Sequence, residues 1–246
     1  AKSILLKTET GNIEQELQEI IMSLKNNGKR RERLFNKRYI KPISIAFLVA
    51  MFNQFSGINA ILYYAPRMFE LAGVSAADSM LQPVFVGITN AIFTVLGLII
   101  IDRAGRKKLL IVGSTGMAIM LGLISYTFYL QNFGGYTLLV FLIIYIMFFA
   151  FSTGAVIWVL IAEVFPNAVR GQGQSLGSFT HWFFAAVITF LFPVVAEQTT
   201  NGGGHAFAFF SLMMILQALV VWKYFPETKG KTLEELGLEM SGNEKK

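Results

Sequence analysis

Cysteine is absent from the 246 residues, which excludes a disulfide framework, a thiolate metal site and a cysteine nucleophile. Histidine is nearly absent, with only His181 and His205, too few for a histidine-built zinc site. Charge is scarce as well: 15% of residues are Asp, Glu, Lys or Arg, against about 25% in soluble domains. No basic-then-apolar signal segment opens the chain. It begins at Ala1 rather than methionine and is expected to be a piece of a longer protein. No nucleophile–base pair, metal-ligand spacing or phosphate loop emerges, so no catalytic residue, metal or cofactor is expected. Gly202-Gly203-Gly204 lacks the strand–helix context of a nucleotide-binding turn and reads as a flexible external linker.

What the chain has in abundance is long apolar sequence. Hydrophobic residues make up 54%, and the mean hydropathy is +0.55. Six stretches reach the roughly 20 residues needed to cross a bilayer: about 43–65, 82–101, 109–130, 137–161, 174–195 and 206–224. An even number puts both ends of the chain on one side. Of the 21 lysines and arginines, only Arg67 falls on the opposite side. The formal charge of +6 is therefore a topology signal that places both termini in the cytoplasm, and nucleic acid is excluded as a partner. The organisation read from this pattern is a cytoplasmic segment at 1–41, a six-helix transmembrane unit at 42–225, and a cytoplasmic helix and tail at 226–246. Asn12 and Gln15 have capping-box spacing ahead of an amphipathic helix that ends near Gly28, and Thr232 with Glu235 repeats that spacing. Both short helices either pack on the ends of the spans or lie in the lipid interface.

Polar groups inside the spans are costly in hydrocarbon unless they face partners or a water-filled cavity. The richest cluster is Asn53, Gln54, Ser56, Asn59, Tyr63 and Tyr64 in the first span. It is uncharged and rich in donors and acceptors, suited to a neutral polyhydroxylated solute. Gln54 and Asn59 lie about 140° apart on an ideal helix. Either the cavity wraps widely around the helix or the helix is broken, with Gly57 and Pro66 as places for the break. The competing reading is that these amides glue helices together. Asn90, alone in the second span, fits interhelical bonding or ligand contact equally. Trp158 follows the small residues Ser152-Thr153-Gly154 and reads as a ligand contact or an interfacial anchor. His181 and Trp182 stand together in the fifth span, the histidine being a neutral hydrogen-bonded ring or a titrating group. At span ends on the basic side, Arg103, Arg106, Glu163 and Arg170 form either a carboxylate–guanidinium latch or solvated topology determinants.

Taken together, these motifs resemble the sugar porter family of the major facilitator superfamily, of the bacterial xylose/glucose-transporter type, and specifically its C-terminal six-helix half. The resemblance rests on Gln54-x-Ser56-Gly57-x-Asn59-x-x-x-Tyr63-Tyr64, Asp102-Arg103-x-Gly105-Arg106-Lys107, Glu163-x-Phe165-Pro166-x-x-x-Arg170-Gly171 and Pro226-Glu227-Thr228-Lys229-Gly230. It implies an all-α integral membrane bundle, built as an inverted 3+3 repeat, that carries a monosaccharide (hexose, pentose or inositol) by alternating access. It further implies a partnering N-terminal six-helix half, a plasma (inner) membrane location, and either proton symport or facilitated diffusion. Gln54, Asn59, Asn90, Trp158, His181, Trp182 and Asn53 are the implied sugar contacts. Tyr63, Tyr64 and Gly154 are the implied gate, and Arg103, Arg106, Glu163, Arg170 and Glu227 the implied cytoplasmic network. Asn53 departs from the family's glutamine, His181 from its usual amide, and Ala155 and Ile157 from its prolines, so the fourth span should kink less. A non-transporting sugar sensor of the same fold and an intramembrane enzyme are the rival readings.

Overall fold

The computed structural model describes residues 32–71, 76–133, 136–198, 201–231, 235–236 and 240. The amphipathic helix expected after Asn12 and the Thr232 cap lie outside these residues. A short 3₁₀ turn, Lys37–Tyr39, leads into α1 (Ile40–Phe55) and α2 (Ile58–Leu71). Then follow α3 (Ala76–Ala104), α4 (Arg106–Leu130), α5 (Thr137–Phe149), a π turn at Ala150–Gly154, α6 (Ala155–Glu163), α7 (Arg170–Gln198) and α8 (Gly202–Tyr224). No strand occurs among the described residues. Six helical stretches are long and apolar enough to cross a membrane, with α1–α2 and α5–α6 each forming one interrupted span. This pattern follows from the solvent. In hydrocarbon every backbone group must be paired within its own segment, which a helix achieves and an irregular loop does not.

Helices in lipid gain little from hydrophobic exclusion and associate through close packing and interhelical hydrogen bonds. Small residues set the approach here. Gly113 and Gly116 of α4 lie against Ser152 and Phe148, and Gly97 of α3 lies against the Phe151 backbone. Ser125 and Ser211 donate across the α4–α8 contact, to the carbonyls of Gly204 (2.8 Å) and Ala118 (2.7 Å). The expected linker at Gly202-Gly203-Gly204 is instead the buried first turn of α8. A side chain at Gly202 would strike the Val195 and Ala196 carbonyls, and one at Gly203 the Phe128 ring. The glycines are there for contact, not for looseness.

Two apolar cores stack along the bundle. One, on the side of Tyr64, gathers Phe69, Leu121, Tyr145 and Phe207. The other, on the basic side, gathers Leu34, Val49, Leu110, Leu160, Phe165 and Met240. Beyond α8, Leu236 and Met240 are buried, and Met240 joins the basic-side core. Burial is uneven among the spans: 67% of the apolar window of α1–α2 is buried, but 17% of α3's and 22% of α7's. The faces of α3 and α7 are therefore the most open to whatever surrounds the bundle.

Candidate functional site

The first span breaks at Ser56-Gly57, not at Pro66, which is carried inside α2. Gly57 has φ +81°, a conformation that L side chains rarely adopt, and the Phe210 ring fills the space a side chain would need. Groups freed by the break find partners nearby. Ser56 Oγ donates to the Asn53 carbonyl (2.6 Å) and accepts from the Ile58 N–H (3.3 Å). The Ser56 carbonyl accepts from the Tyr145 hydroxyl (2.9 Å). Tyr145 is fully buried, so α5 holds the break in place.

That break brings the amides together. Asn59 Nδ2 donates to Gln54 Oε1 (2.8 Å), and Gln54 Nε2 donates to Asn53 Oδ1 (2.9 Å). Gln54 Nε2 also lies 3.1 and 3.2 Å from the two ring nitrogens of His181. Because Asn59 takes the Gln54 oxygen, the Gln54 nitrogen is the atom that faces the imidazole. The His181 ring sits between two indoles, with centroids 5.0 Å from Trp158 and 5.2 Å from Trp182. Asn53 and Gln54 are almost inaccessible, at 2% and 1%, whereas Trp158 and Trp182 are 44% and 62% exposed. The result is an uncharged floor of interlocked amides with two indoles at its open edge. Such a surface can exchange hydrogen bonds with hydroxyls and cover an apolar ring face.

Other residues singled out from sequence are placed differently. Asn90 is half-buried on α3, and among the described residues no hydrogen bond joins it to the amide cluster. Tyr63 is exposed, while the Tyr64 hydroxyl donates to the Thr189 carbonyl (3.2 Å), tying α2 to α7. Gly154 ends a π turn rather than a mildly kinked α-helix. The fourth span thus carries an extra residue in one turn, a device common at functional sites. Among the described residues no group of three or more His, Asp or Glu could hold a metal.

On the basic side, Arg106 is the hub. Its guanidinium pairs with Glu163 (2.8 Å) and with Asp102 (2.9 Å). Glu163 also accepts from the Thr228 hydroxyl (2.6 Å). Glu227 accepts from the backbone N–H groups of Arg106 (2.9 Å) and Lys107 (3.2 Å), placing a carboxylate on the N-terminus of α4 where the helix dipole favours it. Lys229 Nζ donates to the Arg103 carbonyl at 2.5 Å. Two expected members stand apart. Arg103 is exposed and contributes its backbone, and Arg170 donates through Nε to the Phe165 carbonyl (3.3 Å) without an ion pair among the described residues. Arg103 lies in the last turn of α3 and Arg106 opens α4, on either side of Gly105 with its positive φ of +88°, so motif membership alone does not decide which arginine faces the carboxylate.

Sequence reasoning missed Tyr145, Thr153 and Gln217. A lone tyrosine in an apolar run, or a lone glutamine in the last span, carried the same signal as Asn90. Thr153 carried none, since its role depends on the π turn.

The family model described as "Sugar (and other) transporter" matches residues 1–239. The chain is 38% identical to the D-xylose-proton symporter of Escherichia coli (strain K12) over 226 residues, covering 90% of this chain and 46% of that protein. It is also 38% identical to the glucose facilitated diffusion protein of Zymomonas mobilis over 192 residues, covering 76% of this chain and 40% of that protein. The chain thus spans less than half the length of these curated relatives. Among solved structures, the proton:xylose symporter XylE bound to 6-bromo-6-deoxy-D-glucose superposes with a TM-score of 0.83 at 38% identity, covering 97% of this chain and 51% of that one. With six apolar helices and these relatives, the molecule is a multi-pass membrane protein with the fold of half a major facilitator. The chain belongs to the sugar transporter family, the sugar porters of the major facilitator superfamily.

Proposed function

We propose that this chain is the C-terminal half of a transporter that carries a monosaccharide, a hexose, pentose or inositol, across the plasma (inner) membrane by alternating access. The observation that carries this reading is the interlocked, uncharged amide cluster at the break in the first span, edged by two half-open indoles. Asn59 and Gln54 would meet sugar hydroxyls, with His181, Asn53 and Asn90 completing the polar set, and Trp158 and Trp182 would lie against the ring. A neutral site suits a neutral ligand. It binds through many modest hydrogen bonds and leaves no charge stranded in a low-dielectric medium when the sugar departs.

Movement would come from the interruptions. The α2 segment beyond Gly57, with Tyr63 and Tyr64, would close over the sugar from one side, and the π turn at Gly154 would flex on the other. Arg106, Glu163 and Glu227, joined in the complete protein by Arg103 and Arg170, would hold the basic side shut while the opposite side is open. The open faces of α3 and α7 favour a second six-helix unit as their covering, with lipid around the remainder. Both termini would lie in the cytoplasm, with 1–41 and 226–246 forming the soluble segments. No carboxylate lies in the middle of a span, so the acid that takes a coupled proton in a symporter would belong to the other half.

The test is sugar binding by the complete purified protein across a panel of hexoses, pentoses and inositols. Saturable binding of at least one monosaccharide, weakened by both Gln54→Ala and Asn59→Ala, is expected. Binding of every monosaccharide left intact by both substitutions would remove this assignment.

A further inference from the structure

Gln217 lies in the middle of α8, the last span, and is fully buried among apolar neighbours. Its Nε2 lies 3.4 Å from the Thr153 hydroxyl, inside the π turn, and its Oε1 is buried with no partner among the described residues. A glutamine there is expensive, because an unpaired buried oxygen costs more than an aliphatic side chain of similar volume would. The bond to Thr153 is what the residue gains in exchange.

That bond does not end at Thr153. The Thr153 carbonyl accepts from Asn53 Nδ2 (3.4 Å), Asn53 Oδ1 accepts from Gln54 Nε2 (2.9 Å), and Gln54 Oε1 accepts from Asn59 Nδ2 (2.8 Å). The series runs Gln217, Thr153, Asn53, Gln54, Asn59, crossing from the last span through the π turn into the broken first span. Within it the three amides of the first span point the same way, each donating from nitrogen to the next acceptor. An amide held by one such bond cannot turn over without breaking the bonds on both sides. The orientation of the Asn59 group is thereby tied, through Gln54 and Asn53, to Thr153 and Gln217.

We propose that Gln217 and Thr153 are positioning residues for the binding site. By pinning the π turn they fix Asn53, and through Asn53 they hold the Gln54 and Asn59 amides in the orientation that receives sugar hydroxyls. The inference rests on the sugar-binding reading given above. It adds the last span to the residues that set affinity, although that span contributes no side chain to the amide cluster itself.

The test uses the complete transporter, with Gln217→Leu and Thr153→Val made separately, together, and each with Asn53→Ala. Monosaccharide affinity is read by equilibrium binding, and the fold by the melting temperature without sugar. Each single variant should weaken affinity about three- to tenfold, the worth of one oriented hydrogen bond, with the sugar-free melting temperature unchanged or raised. The effects should not multiply: Gln217→Leu should add nothing once Thr153→Val or Asn53→Ala is present. Unchanged affinity in both Gln217→Leu and Thr153→Val, or fully multiplicative effects, overturns the proposal. Should Gln217→Leu fail to fold, Thr153→Val, which keeps the shape of the side chain, decides the matter alone. Gln54→Ala and Asn59→Ala run alongside separate the two readings. If those two abolish binding while Gln217→Leu and Thr153→Val do nothing, the positioning role alone is lost. If none of the four has an effect, the sugar site itself is misplaced.

Discussion

The molecule has two polar regions, and they solve opposite problems. The amide cluster at the break of the first span contains no charge, lies in the middle of the bundle, and fixes its groups by bonds among neighbours. The cluster around Arg106 is built from full charges at the ends of α3, α4 and α6, with Glu227 seated on a helix N-terminus. Deep in the bundle a charge costs far more than an amide, so strength there has to come from number and orientation. At the membrane boundary water softens that cost, and a charge-assisted bond gives a firm but breakable hold. Under the proposed function, the first region would receive a neutral ligand repeatedly. The second would lock and release.

Substitutions should separate the two. The largest effect is expected from Arg106→Leu, which strands Glu163 in a mostly buried position. A loss near the low end of the roughly 3–5 kcal/mol typical of breaking a buried pair is expected, read as a lowered melting temperature, with sugar affinity less affected than stability. Equal loss of affinity and stability would merge the two regions into one unit.

Next come Gln54→Ala and Asn59→Ala. These should reduce monosaccharide affinity about 10- to 100-fold, as expected when one or two oriented hydrogen bonds disappear, while the sugar-free melting temperature moves little. A large drop in stability with intact affinity would make the amides interhelical glue instead.

Tyr145→Phe probes the break itself, because it leaves the Ser56 carbonyl without its hydroxyl donor. A stability cost of about 1–2 kcal/mol is expected, with a weakened affinity that follows from a looser break. Glu227→Gln keeps the shape of the cap but removes its charge, for about 0.5–1 kcal/mol. Asp102→Asn should be smallest, below about 0.5 kcal/mol, since the Asp102 side chain is 76% exposed although it touches the same guanidinium as Glu163. Melting curves at low and high salt check the pair: the Glu163 contribution should persist where the Asp102 contribution is screened.

Much of this was legible in the sequence for definite reasons. Long apolar runs and the one-sided distribution of lysine and arginine report the solvent directly, so the six spans follow from composition alone. The arithmetic left a broken first helix as one of two readings, because Gln54 and Asn59 cannot share a narrow face on an unbroken helix. What failed depended on neighbours. Gly202-Gly203-Gly204 looks like a linker until Phe128 and the carbonyls of α7 are seen against it. The π turn leaves no trace in the residues that form it. Arg103 and Arg106 belong to the same motif, yet only one turns toward Glu163.

The sequence by itself determined that this chain lives in a membrane, crosses it with six helices, and keeps uncharged hydrogen-bonding groups at depth, because hydropathy, charge placement and helical periodicity are local properties. Only the tertiary structure decided which of those groups touch. The orientation of each amide is set by a partner on another helix, from Gln217 through Thr153 to Asn53, and no local pattern encodes a contact that spans 64 or 100 residues. The membrane explains why both levels matter: it fixes the secondary structure almost completely, and leaves the pairing of the few polar groups to helix packing.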